Sequence, residues 1–396
     1  MKAHAVADRA LPSRQAALYC GTFILLGLTI ASLGPTIPIL AELTASSLGG
    51  IGILFFVRSL GGSLGAIALG RVLDGADGHR VVLACLAVVI VLFCLVPFGT
   101  SLLVLAPLVF CIGMAEGGVN VGGNTLIMWA RPTGLGSWLN GLHLTFALGA
   151  ACSPLIVAQM ITYAPDPIWT YWAIPVLIVP VLFLYRRIPS PPHPRTTDTG
   201  TSATPMDKPL VGIVAATFFF YTGVEIVFGS WIYTYGLEQQ LATETTAAYL
   251  TAAMWGGVGI GRLAAIPLAQ RLLPRQLLIG CFVLAGAMLT LGAAYPSSAL
   301  ILWIVTPGLG IALGPVFPTM LALAGRYMTV TGKINGIFFM LAGAGAMLFP
   351  WTMGLLFDYA GTAIFLPVVL GTLLAATVCL SVVLVTVRRR GPLPLD

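Results

Sequence analysis

Charge is what this sequence most lacks. Only 8% of its 396 residues are Asp, Glu, Lys or Arg, where a soluble globular domain carries about 25%. So little charge cannot cover a water-facing surface, which excludes a soluble enzyme, a disordered scaffold and a collagen-like fibre. Paired cysteine is missing too. The seven cysteines (Cys20, Cys85, Cys94, Cys111, Cys152, Cys281, Cys379) all fall inside apolar runs with no CxxC spacing, so they read as small hydrophobes, with neither disulfide nor metal site expected. Histidine is sparse and scattered (His4, His79, His143, His193), which argues against zinc. No GxxxxGK[ST] loop exists: the nearest approach, Gly325 to Gly332-Lys333, has the wrong spacing and no Ser or Thr next. With no cytoplasmic segment large enough for an ATPase either, any transport must draw on gradients. No cleavable signal is expected, because the apolar run from Gln15 far exceeds a signal core of about 7–15 residues.

What is present is apolar: 58% of residues are hydrophobic, 46 are glycine and mean hydropathy is +0.99. The solvent such a chain suits is a lipid bilayer, whose core of about 30 Å takes about 20 apolar residues per helix. Apolar runs predict helices at 15–41, 47–72, 80–98, 101–129, 135–162 and 167–187, then at 209–236, 244–270, 275–294, 297–326, 332–357 and 361–388. A Pro-, Ser-, Thr- and Asp-rich stretch, Ile188–Lys208, halves the chain. The expected organisation is a six-helix half over 1–187, a cytoplasmic linker over 188–208 and a second half over 209–396.

Orientation follows from Lys and Arg, which favour cytoplasmic loops. With the N-terminus cytoplasmic, seventeen of the nineteen basic residues lie inside, and the outer loops hold only acidic charge (Glu42, Asp166, Glu238, Glu244, Asp358). Both termini are therefore expected inside, in a bacterial-type inner membrane. The net charge of +6 is thus a matter of topology, and no nucleic-acid partner is expected.

The halves repeat. Asn140-Gly141 pairs with Asn335-Gly336 at an offset of 195, which also pairs Gly113 with Gly308 and Arg131 with Arg326, with Pro154 and Pro350 one residue off. The alternative is coincidence among abundant glycines. The fold expected is all-α: twelve membrane helices in two pseudo-symmetric halves, the duplication of major facilitator transporters.

Four charges fall near mid-bilayer: Arg58, Glu116, Glu225 and Arg262. Each costs about 2.5–3.5 kcal/mol on insertion scales, so each needs a reason. They sum to zero. One reason is a pair of static ion pairs bracing the bundle; the other is a substrate or proton pathway. Sequence does not say which carboxylate each arginine reaches.

Glu116, Asn120 and Asn124 recur every four residues and so share a helical face, interleaved with glycines that admit a close neighbour or a ligand. Asn140 and His143 share a face of span five. Span seven carries Tyr221, Glu225 and Gly229 at spacing four, then Trp231, Tyr233 and Tyr235, which are either an interfacial belt or rings for stacking a sugar. Span eight sets Trp255, Gly259 and Arg262 on one face. Prolines in span one (Pro35, Pro38) and span ten (Pro315, Pro318) are expected either to kink those helices or to break them where transporters place their sites. The expected cavity-lining set is Glu116, Asn120, Asn124, Asn140, His143, Tyr221, Glu225 and Trp255. The expected coupling set is Glu116, Glu225, Arg58 and Arg262.

The segment Gly70-Arg-Val-Leu-Asp74-Gly-Ala-Asp77-Gly78-His79-Arg80 resembles the superfamily signature between helices two and three, with one extra residue and no basic residue straight after Asp74. That resemblance implies a gating role for Asp74, Gly78 and Arg80. Glu116-x-x-x-Asn120, Asn140-Gly-Leu-His143, Gly223-x-Glu225 with Gly229-Ser-Trp231, Gly261-Arg262 and Gly314-Pro-Val-Phe-Pro318-Thr319 resemble the fucose/proton symporter branch, which includes the sodium-dependent glucose transporter-like proteins. The resemblance places Glu116 on an acidic position tied to sugar and proton handling, and Asn120 and Asn140 on polar cavity positions. It departs at span one, where Thr29, Ser32 and Thr36 stand and no acid is present; Glu225 is then the candidate substitute, or the protein is uncoupled.

The reading expected is a secondary transporter, not an enzyme, moving a sugar or similar polyhydroxylated solute by alternating access. Its coupling ion is H+, with Na+ the alternative, and it works as a monomer in the bilayer without a cofactor. Proton-driven efflux of a drug or metabolite is the rival within transport, and a non-transporting sensor or lipid-modifying enzyme the rival outside it.

Overall fold

The computed structural model describes residues 2–73, 75–131, 135–192 and 207–390. Among them every regular element is helical, and twelve helical segments are long and apolar enough to cross a membrane. In chain order these are α1 (Lys2–Ala31) with α2 (Leu33–Leu43), α3 (Leu48–Leu73), α4 (Gly78–Leu95), α5 (Leu102–Ala130), α6 (Leu135–Tyr163) and α7 (Thr170–Arg187). There follow α8 (Lys208–Glu238), α9 (Glu244–Arg271), α10 (Pro274–Ala294), α11 (Ala299–Leu313) with α12 (Val316–Tyr327), α13 (Gly332–Ala360) and α14 (Phe365–Arg390). Helix starts are marked by short polar caps: Asp77, Asp207, Ser298 and Thr331 each accept a first-turn N–H, and Thr243 and Thr246 cap reciprocally.

The outer faces remain apolar and exposed, as at Leu103 (88%), Leu300 (70%) and Tyr359 (91%). Such surface is stable only against hydrocarbon, and the chain is an integral membrane protein.

The chain forms two compact units, Met1–Thr197 and Asp198–Asp396. In the first, α5 packs on α3 and α4, α6 on α1, and α4 on α7. In the second, α11 packs on α9 and α10, α13 on α8, and α10 on α14. Partner for partner, the second arrangement repeats the first.

Glycines make these seams. A Cβ at Gly61 or Gly65 of α3 would strike the backbone of α5 at Phe110 or Met114, and one at Gly113 or Gly117 would strike α3 at Arg58 or Gly62. Gly257 and Gly261 of α9 meet α11 in the same way through Gly310 and Gly314. Gly27 and Gly149 close α1 on α6, as Gly345 closes α13 on α8 opposite Gly223. The register of the repeat is 196 for Gly27/Gly223, Gly61/Gly257, Gly65/Gly261 and Gly149/Gly345, and 197 for Gly113/Gly310 and Gly117/Gly314. One sequence pairing is therefore corrected: Gly113 touches the backbone of α3, whereas Gly308 meets only the Met288 side chain. Its partner in the repeat is Gly310.

Spans one and ten each break their helical hydrogen bonding at one point, while Ser32, Gly314 and Pro315 keep α-region backbone angles, so the break is one of hydrogen bonding and not of an unwound backbone. Helix α1 stops at Ala31 and α2 starts at Leu33, while α11 stops at Leu313 and α12 starts at Val316. Proline supplies the cause, because it brings no N–H to the carbonyl four residues earlier. Pro35 leaves Ala31 without its helical donor, and Pro315 and Pro318 do the same to Ile311 and Gly314. Both breaks lie in buried stretches.

Candidate functional site

In the first unit, the break in span one is held by an arginine from α3. Arg58 donates Nη2–H to the carbonyl of Thr29 at 2.6 Å and Nη1–H to that of Ile30 at 3.3 Å. The same guanidinium grips Glu116 on α5 bidentately through one edge, Nε to Oε2 at 2.8 Å and Nη2 to Oε1 at 2.5 Å. Only 9% of Arg58 and 4% of Glu116 is exposed. A charge pair this deep is stable because the fork is matched bidentately and the spare N–H groups find carbonyls. The gap beside Glu116, lined by Leu25, Thr29, Val119 and Ile178 among others, measures about 10 Å³. That is room for about one water, not for a sugar.

The polar row of α5 runs outward from that pair. Glu116 is buried, Asn120 exposed and Asn124 half-buried, and Asn124 Nδ2 donates to both Asn120 Oδ1 (2.8 Å) and Asn120 O (2.9 Å). The row drifts from seam to open surface because four residues overshoot one 3.6-residue turn. On α6, Asn140 is exposed, and the half-buried His143 ring stands edge-on to Phe23 with centroids 5.9 Å apart. The open end of the first unit thus offers amides and an imidazole.

In the second unit, Tyr221 and Glu225 lie one turn apart on α8, both buried. The Tyr221 hydroxyl is 3.0 Å from Glu225 Oε2 and 3.1 Å from the carbonyl of Leu313, the last residue of α11. Glu225 Oε1 is buried and has no hydrogen-bond partner among the described residues. Arg262 of α9 bears on Glu225 electrostatically, yet turns its Nε–H to Gly314 O at 3.4 Å. That carbonyl is the one Pro318 leaves without a helical donor. Trp255 is 7% exposed and lies over Gly229, where a Cβ would come within 3.0 Å of its ring.

Trp231, Tyr233 and Tyr235 are neither an interfacial belt nor free stacking faces. All three are 2% exposed or less. Trp231 donates Nε1–H to Pro350 O at 2.8 Å, and Tyr235 stacks on Phe365. They are core, because α13 and α14 close over α8.

At the signature between spans two and three, Asp74 lies outside the described residues. Gly78 is buried at the start of α4, with Leu126 of α5 so close that a side chain there would clash. Arg80 is exposed, and its backbone N–H is capped by Asp77 at 3.1 Å. Between them, His79 does something its isolation in the sequence did not signal. Its Nδ1 is 3.0 Å from Ile188 O and its Nε2 is 2.8 Å from the Tyr19 hydroxyl. A carbonyl only accepts, so Nδ1 carries the hydrogen and Tyr19 donates to Nε2. His79 thereby ties spans one and three to the residue where the linker begins. Of the carbonyls that these side chains reach, only Gly314 O is freed by a proline, Pro318; those of Thr29, Ile30 and Leu313 carried no signal in the sequence.

The profile of the Major Facilitator Superfamily matches residues 19–350. The sodium-dependent glucose transporter 1A of Mus musculus is 26% identical over 94% of this chain and 96% of its own. The human sodium-dependent glucose transporter 1 is 24% identical over 96% and 80%. The major facilitator superfamily domain-containing protein 4A of Mus musculus is 23% identical over 88% and 87%. Among solved structures, a mutant of the nucleoside transporter NupG superposes with a TM-score of 0.74 over 95% of this chain and 99% of that one, at 13% identity. That likeness is one of fold.

Proposed function

This chain belongs to the Major Facilitator Superfamily, and on that premise we propose that it carries a sugar or similar small polyhydroxylated solute across the membrane by alternating access, in symport with protons. The observation that carries the reading is the Arg58–Glu116 pair seated on the break of span one, with Asn120 and Asn124 continuing along the same helix. A guanidinium, a carboxylate and amides in one row are the groups that recognise hydroxyls. A hydroxyl-bearing solute competes with such a pair for its hydrogen bonds, which makes the break in span one sensitive to occupancy. The names of the mouse and human relatives speak for a sugar in those proteins, and we carry the substrate class over as part of the proposal.

Asn140, His143, Tyr221, Glu225 and Trp255 complete the proposed substrate set, and Glu116, Glu225, Arg58 and Arg262 the coupling set, in a monomer needing no cofactor. Asp74, Gly78 and Arg80 are proposed as gating residues. We place the protein in a bacterial-type inner membrane with both termini cytoplasmic. A second reading, sodium in place of the proton, is favoured by the sodium dependence in the relatives' names.

Purified protein in proteoliposomes separates these readings. A gradient of protons, or of sodium, is imposed and uptake of labelled hexoses is followed. The expected result is accumulation above the outside concentration under a pH gradient, abolished by a protonophore, with exchange of preloaded sugar surviving in Glu116→Gln or Glu225→Gln while uphill accumulation is lost. Accumulation driven by sodium alone moves the assignment to the second reading. If both variants still concentrate sugar at normal rates, neither carboxylate couples, and the two arginines only brace the bundle.

A further inference from the structure

A tyrosine hydroxyl has one hydrogen to give, and Tyr221 faces two acceptors, Glu225 Oε2 at 3.0 Å and Leu313 O at 3.1 Å. The Leu313 carbonyl can only accept. An ionised Glu225 can only accept as well, so whichever group the hydroxyl serves, the other goes without. Ionised, Glu225 would hold at most one hydrogen bond between its two oxygens, since Oε1 has none among the described residues, with 7% of the residue exposed. A buried charge so poorly served is disfavoured.

The surroundings add a charge but no further hydrogen bond to Glu225 among the described residues. From α9, Arg262 is the nearby cation, and its Nε–H is directed to Gly314 O. From α10, Cys281 lies beside Tyr221 and adds no positive charge. Lys333 and Asp358 lie near the ends of α13, and Arg388 near the end of α14.

We infer that Glu225 is a proton-binding site captured here in its occupied form: its carboxylic acid donates Oε2–H to the Tyr221 oxygen, and Tyr221 donates its own hydrogen to the Leu313 carbonyl. One added proton then satisfies every donor in the triad and leaves only the weakly demanding Oε1 of a neutral acid. The step is an acid–base one. A proton from water binds Oε2 and turns carboxylate into acid; on release it returns to water, Tyr221 turns its hydrogen to the carboxylate, and Leu313 loses its donor. Leu313 is the last residue before the break of span ten, so the occupancy of Glu225 is tied to the state of that broken helix.

The two carboxylates thereby divide the work. Glu116 is held at both carboxylate oxygens by one edge of Arg58. Glu225 is bonded to a phenol and takes the proton. As the seat of coupling this rests on the transport reading above; as a protonation it is observable without any transport.

The test is infrared difference spectroscopy of the purified full chain, without substrate, under hydrogen–deuterium exchange. The expected signal at neutral pH is the carbonyl stretch of a protonated carboxylic acid that shifts on deuteration. It should vanish in Glu225→Gln, persist in Glu116→Gln and move in Tyr221→Phe, which keeps the ring and removes the acceptor. The inference is overturned if the unmodified protein shows no such band, or if the band survives intact in Glu225→Gln. Should that variant fail to fold, Tyr221→Phe decides, and an unmoved band overturns the assignment. A band without sugar flux in proteoliposomes sinks the transport reading and leaves the proton site standing; flux without the band does the reverse.

Discussion

An arginine in hydrocarbon is tolerable only when its N–H groups are answered, and Arg58 answers four with two carboxylate oxygens and two carbonyls. Removing one member of such a pair strands the other. Arg58→Met leaves a buried carboxylate and the Ile30 carbonyl without the donors Arg58 supplies, with Thr29 O keeping only the Ser32 hydroxyl, and should cost about 3–5 kcal/mol, as should Glu116→Met, whereas replacing both with methionine should cost less than either alone. Thermal unfolding in detergent of the two single variants and the double closes the cycle. Additive losses would show that the two side chains do not act as a pair. Arg58→Lys should fare little better than Arg58→Met, because an ammonium cannot span both carboxylate oxygens and two carbonyls on the neighbouring helix. The sequence made Arg58 and Glu116 conspicuous by depth and charge alone. Their mutual distance and the carbonyls of Thr29 and Ile30 were not legible, because contacts between spans depend on helix rotation, which α3 leaves open with glycine and small residues on several faces.

At the level of helices, glycine sets how closely pairs approach, and the effect of adding a methyl depends on what lies opposite. At Gly65 and Gly261 the added carbon would meet the backbone of the facing helix, at Met114 and Ile311, which cannot step aside. At Gly256, on the same helix as Gly261, nothing lies within 4 Å. Gly65→Ala and Gly261→Ala should therefore lose about 1–3 kcal/mol through overpacking. Gly256→Ala should gain up to about 1 kcal/mol from helix propensity. Melting temperatures of the purified variants read the contrast, and equal shifts at Gly256 and Gly261 would refute the close-packed seam. Most of the architecture was legible: the twelve spans fall within a few residues of the apolar runs, because length and hydropathy decide membrane insertion. The prolines pointed to spans one and ten as kinked or broken, and both lose helical hydrogen bonds there while the backbone stays in the α region. What the pattern could not rank were the aromatics of α8. Trp231, Tyr233 and Tyr235 look interfacial by composition, and only the packing of α13 and α14 shows them to be core.

Across the whole chain the two halves share a scaffold and differ in chemistry. The 196-residue register that pairs Gly27 with Gly223 makes Thr29 the counterpart of Glu225, so the position that is acidic in span seven is a threonine in span one. The 197-residue register of the α5 and α11 seams makes Leu313 the counterpart of Glu116. Each half thus joins one buried acid to a backbone carbonyl at its own broken helix, through Arg58 in the first and Tyr221 in the second. Duplication supplied the frame, and side-chain divergence placed the charges. The same whole-chain view carries the topology prediction. Basic residues stay where they are synthesised because moving them across the bilayer is costly, so the seventeen of nineteen that the span count gathers on one side predict that this side is cytoplasmic. A cysteine introduced at Thr199, with exposed native Cys111 and Cys152 replaced by serine, should resist a membrane-impermeant maleimide added to intact cells and react once the cells are opened. The loop residue Asp166, on the opposite side by the same count, should give the reverse when changed to cysteine. Labelling of the Thr199 position in intact cells would invert the whole arrangement and place both termini outside.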